Sequence, residues 1–128
     1  MEFCQVDTKV AGTDWVQRLA HCNVHYAVRQ ARGIDGFKPF LKGFTAAQCH
    51  SNIIVPLDES DARHYLGSDY PYILMDSALQ SVLEMIAFVK ESFGGPEWQR
   101  GLELMASVRR RCSPAQIATE INELIESS

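Results

Sequence analysis

A chain with an apolar repeat as long as the one between Met75 and Phe93 has to build a helix there. Met75, Ala78, Leu79, Val82, Ile86, Val89 and Phe93 recur mostly at spacings of three and four, the period of one helical face. Leu74, Leu83, Met85 and Phe88 fall on other faces. A helix apolar on most sides is a central one, enclosed by its neighbours. Asp69 and Pro71 stand where a helix start wants a cap and a proline, and Gly94-Gly95 stops the run. Leu79, Val82 and Ile86 are therefore expected to be inaccessible. Asp76, Gln80, Glu84 and Lys90 interrupt the stretch, so it is no membrane span.

The flanking segments read as further helices. Thr13 or Asp14 can cap one that carries Val16, Ala20, Val24, Ala27 and Ala31 on one stripe and Trp15, Leu19, Cys22 and Tyr26 on a second. Arg29 and Arg32 before Gly33 end it, which predicts a helix over 14–32. Pro39 can open a short helix through Phe40, Leu41 and Phe44, weakened by Gly43, and Thr45 can cap a new one through Cys49. Ser60 to Leu66 reads as a short helix ended by Gly67. Pro96 opens a helix with Trp98, Leu102, Met105 and Val108 inward and Arg109, Arg110 and Arg111 at its end. Ser113-Pro114-Ala115-Gln116 has the form of a capping box, and Ile117, Ile121, Leu124 and Ile125 make the last amphipathic face. Residues 2–10 alternate weakly, and Ile53, Ile54 and Val55 are β-branched. A two-stranded element joining residues 3–10 to 52–55 is the β structure this pattern allows. The fold class expected is mainly α: one compact four- to five-helix bundle over residues 1–128, with that small β element. How the segment 34–72 folds is left open.

Charge narrows the partners. The chain has 128 residues, with 12 basic and 16 acidic side chains and a formal net charge of −4. Phosphate-tracking proteins usually carry a basic excess, so this balance disfavours nucleic acid. Cys4, Cys22, Cys49 and Cys112 form no C-x-x-C pair, and Met1-Glu2-Phe3-Cys4 opens no apolar run of signal-peptide length. Reduced thiols and a cytoplasmic location are the expectation, with no membrane association.

Three constellations bear on chemistry. His21 and His25 lie four apart on the first helix and so share a face that could hold a metal, with Cys49 and His50 as further ligand types. His21-Cys-Asn-Val-His25 lacks the glutamate of a zinc-protease helix. Solvated histidines beside a buried Cys22 are the commoner outcome, and no metal or cofactor is assigned. Nucleophile elbows and glycine-rich phosphate loops are lacking in the sequence, and no catalytic residue is assigned. The segment from Pro56 to Tyr72 is polar and aromatic, and reads as a surface excursion. Asp58, Glu59, Asp61, Arg63, Tyr65, Tyr70 and Tyr72 have the composition of a binding surface; packing of the tyrosines at a core edge is the competing account. The function expected is a small protein-binding regulator or inhibitor that covers the surface of another protein with basic character. Self-association stays open. The alternatives are a metal- or thiol-based site at His21, His25, Cys49 and His50, and a small enzyme whose site assembles only in three dimensions.

Overall fold

The computed structural model describes residues 14–28 and 39–128. The protein is mainly α with a small β element. Six helices occupy the described residues: α1 Asp14–Ala20, α2 Leu41–Gln48, α3 Ser60–Leu66, α4 Leu79–Ser92, α5 Pro96–Arg111 and α6 Pro114–Glu126. Three strands, β1 Val24–Tyr26, β2 Asn52–Pro56 and β3 Ile73–Leu74, form a parallel sheet in the order β1-β2-β3. Val24 pairs with Asn52 and Tyr26 with Ile54 on one side, and Val55 with Ile73 on the other. Parallel neighbours need a crossover; α2 lies between β1 and β2 in the chain, and α3 between β2 and β3.

β2 is the centre of the molecule. Asn52, Ile53, Ile54 and Val55 are all buried, as a parallel strand covered on both faces should be. Around it pack Phe40, Ala46 and Ala47 from α2, Ala62 and Leu66 from α3, and Trp98, Met105 and Val108 from α5. A Cβ at Gly43 would occupy the place of the Phe40 ring. The missing side chain makes room for the buried Phe40 ring, which offsets glycine's poor helix propensity. Gly67 ends α3 with φ +77°, a conformation that costs glycine little.

Tyr70 repairs the short edge of β3. The β2–β3 ladder runs from Val55 N–H to Tyr72 C=O and from Leu57 N–H to Leu74 C=O, and does not reach Ile53. The Tyr70 hydroxyl stands in, accepting from Ile53 N–H and donating to Ile53 C=O, both at 2.8 Å. Asn52 Nδ2 donates to Trp98 C=O at 3.2 Å, joining β2 to α5. No buried side-chain polar atom among the described residues lacks a partner.

Two expectations need correction, and a third falls outside the described residues. The helix expected over 14–32 stops at Ala20, where His21 and Cys22 donate to the Arg18 and Leu19 carbonyls in a closing turn. Val24-His25-Tyr26 then extends as a strand, because β-branched and aromatic residues gain more beside β2 than in a helix. The proposed first strand, 3–10, lies outside the described residues, and β2 has other partners. Finally, α4 starts at Leu79 rather than near Asp69 and is not central: only Val89 and Ser92 on it are buried. Val82, Met85 and Ile86 are half-buried against the core, but Leu79 is 74% exposed. The strands take the centre, and α4 flanks them.

Candidate functional site

The surface excursion expected between Pro56 and Tyr72 is α3 and the approach to β3. Tyr70 and Tyr72 are in the core, at 3% and 0% exposure, so neither forms part of a contact surface. Tyr72 hydrogen-bonds Ser92 at 3.0 Å and stands edge-on to Tyr70. Burial pushes both phenol groups above their ordinary range. Tyr65 is half-buried, stacked on Phe40 and edge-on to Phe44. Asp58 and Arg63 are exposed, while Glu59 and Asp61 are half-buried. The three acids cluster at the start of α3, where negative charge suits the helix dipole.

The arginine run lies at the opposite end of α3. Arg109 donates to Ala47 C=O at 3.4 Å and to His50 Nδ1 at 2.7 Å. Arg111 donates to His64 Nε2 at 3.3 Å and lies 4.8 Å over the Tyr65 ring. The C-terminal turns of α2, α3 and α5 therefore meet at these side chains. A cationic last turn suits the negative end of a helix dipole, and with the contacts to Ala47, His50, His64 and Tyr65 it accounts for Arg109 and Arg111 without a ligand. An open cleft of about 430 Å³ between α5 and α6 is lined by Arg109, Arg110, Ser113, Gln116 and Thr119. The Ser113 hydroxyl there is occupied, accepting from Gln116 N–H at 3.2 Å.

The histidine pair does not form. His21 is exposed in the turn after α1, whereas His25 is on β1 with its Nε2 3.3 Å from Leu19 C=O. Their one-turn helical relation is lost with the helix. His50 engages Arg109, and no group of three potential ligands converges among the described residues. Burial holds the His25 imidazole below its ordinary value and lifts the Cys49 thiol, so neither environment favours an ionised catalytic group.

In open parallel sheets, ligands occupy the crevice where strand order reverses. Here β1-β2-β3 runs on without reversal among the described residues. Asp58 and Glu59 follow the carboxyl end of β2, and Asp76 that of β3.

What sequence reasoning set aside as core is instead surface. Leu79 and Leu83 on α4 project into solvent, and so do Ile117, Ile121, Leu124 and Ile125 on α6. No residue of α6 is buried. Their periodicity was visible, but no sequence signal distinguishes a stripe that meets a core from one that does not. Comparison with protein-family models, curated proteins and solved structures returns no match.

Proposed function

We propose that this chain is a small regulatory or inhibitory binding protein that works by covering another protein's surface. The observation that supports this reading is the large apolar side chains left in solvent on α4 and on α6, among them Leu79, Leu83, Ile121 and Leu124. Burying one such side chain fully is worth about 1.5–3 kcal/mol, so a handful seated together would outweigh a substantial ordering cost. The net charge of −4 favours a partner with basic character, through steering and selection against acidic surfaces.

Site-specific photocrosslinking tests the reading. A crosslinker at Leu83 or Leu124, in native lysate, should give one stoichiometric adduct of the same mass, and a crosslinker at exposed Gln99 should give none. Adducts of equal yield from all three positions, or from none, would overturn the proposal.

A further inference from the structure

We propose that the cleft between α5 and α6 binds the phosphate monoester of a small hydroxylated molecule, gripped by the guanidinium groups of Arg109 and Arg110. The proposal stands apart from the binding reading above, because it uses neither α4 nor the apolar stripe of α6.

The cleft has one sign of charge. Arg109 and Arg110 line it together with Ser113, Ala115, Gln116 and Thr119, and no carboxylate is among these lining residues. The chain as a whole has 16 acidic against 12 basic side chains, so the local sign opposes the global one. A concave surface lined by like charges focuses its field and gathers counter-ions. The volume of about 430 Å³ is that of a small-molecule site.

The two arginines differ in a useful way. Arg109 is anchored, since its Nη1 donates to Ala47 C=O at 3.4 Å and to His50 Nδ1 at 2.7 Å. Its Nε and Nη2 donors are not engaged by those contacts. Arg110 is exposed and has no hydrogen bond, ion pair or ring contact among the described residues, whose ion pairs lie at Arg100. A guanidinium is a planar fork that matches two phosphate oxygens. One fixed fork and one mobile fork can therefore close on the same dianion. Ser113 Oγ accepts from Gln116 N–H, which leaves the hydroxyl proton for a further phosphate oxygen.

The rest of the lining bears on the remainder of the ligand. Thr119 Oγ1 already donates to Ala115 C=O, and Gln116 Nε2 to Glu120. Thr119 Oγ1 and Gln116 Oε1 are thus left with acceptor lone pairs, which suit ligand hydroxyl groups. Glu123 and Glu126 follow Thr119 on the same face of α6, one and two turns further on. A polyanion laid along that face would run from the arginines onto these carboxylates. A compact monoester stays at the root of the helix, which favours it over nucleic acid.

The test is a nuclear magnetic resonance titration of the full chain at constant ionic strength, with glycerol phosphate as the probe. The arginine Nε–H signals and the Ser113 and Gln116 amides should shift saturably, and acetate should not saturate them. Arg110→Gln should weaken binding at least about tenfold, as loss of a charge-assisted pair does. Its melting temperature should be unchanged, because Arg110 holds nothing else among the described residues. Arg110→Lys should recover only part of the affinity, since it restores the charge without the fork. Arg100→Gln, outside the cleft, should bind as the parent does. Shifts that do not saturate, acetate binding as tight as glycerol phosphate, or an affinity unchanged in Arg110→Gln would overturn the proposal. Tighter binding of a phosphoserine peptide would move the phosphate to a protein partner, and tighter binding of a single-stranded oligonucleotide would move it to nucleic acid; either result overturns the small ligand.

Discussion

α5 and α6 are neighbours in the chain, of similar length, and each carries an apolar stripe. Their fates differ. α5 buries Trp98, Gly101, Met105 and Val108 against β2, α2 and α3, while α6 buries no residue at all. The cause lies less in the stripes than in what faces them. Gly101 lets the α5 backbone come close to the strands, since a Cβ there would meet Asn52 and the Tyr72 ring. α6 turns away at Ser113 and has only limited contact with α5. An amphipathic pattern therefore specifies a helix and an orientation, and the cover must come from elsewhere.

Stability measurements can break this comparison. Met105→Ala should cost about 2–5 kcal/mol in urea unfolding, the usual range for truncating a packed core side chain. Leu124→Ala should stay within about 0.5 kcal/mol, as surface changes do. Similar costs at both sites would mean that α6 is packed in solution. Next in size is Tyr70→Phe, which keeps the ring and removes the hydroxyl serving both backbone groups of Ile53. Leaving those groups buried without partners should cost about 1–3 kcal/mol. A neutral result would show that water or a shifted backbone replaces the hydroxyl.

The places where the sequence was legible share a physical trait: their signals are local. Gly67 ends α3, Pro96 opens α5 and Ser113 caps α6, as their backbone chemistry requires. The β-branched run at Ile53–Val55 likewise became a strand. What stayed hidden was set by partners distant in sequence. Val24–Tyr26 fits a helical stripe as well as a strand, and only pairing with β2 decides between them. The region from Asp69 to Leu74 looked like a helix start beside a surface loop, yet the partners of Tyr70 and Tyr72 lie 17 to 20 residues away. Two members of the candidate binding surface, Tyr70 and Tyr72, are buried for the same reason. Tyrosines were read as exposed anchors because no local signal marks a phenol as buried, and the α4 leucines as core because no local signal marks a stripe as uncovered.

A smaller effect separates the sheet from the outer helices by pH. Burial lowers the His25 pKa from an ordinary value of 6.5, against the opposing pull of the Leu19 carbonyl. The folded state therefore binds fewer protons than the unfolded state just below that value. Stability present above about pH 6.5 should fall as the pH drops through it toward the folded pKa. His25→Gln should flatten that part of a stability–pH profile, whereas His21→Gln, in the exposed turn, serves as the control. An unchanged slope in His25→Gln would show that the imidazole is hydrated in solution.

The smallest expected effect is the most discriminating, because two readings of the same residue disagree about it. Periodicity alone makes Leu79 a core residue, and a core leucine cut to alanine loses about 2–5 kcal/mol. In the structure it opens α4 with most of its surface in water, and the helix starts at Ala78 without a side-chain cap. Leucine and alanine are both good helix formers, so propensity changes little between them. Leu79→Ala should then shift stability by less than about 0.5 kcal/mol. Val82→Ala, one turn inward and half-buried against the core, should cost clearly more. If Leu79→Ala proves the costlier of the two, something covers that end of α4 in the isolated chain, and Leu79 no longer belongs to the exposed surface on which the binding reading rests.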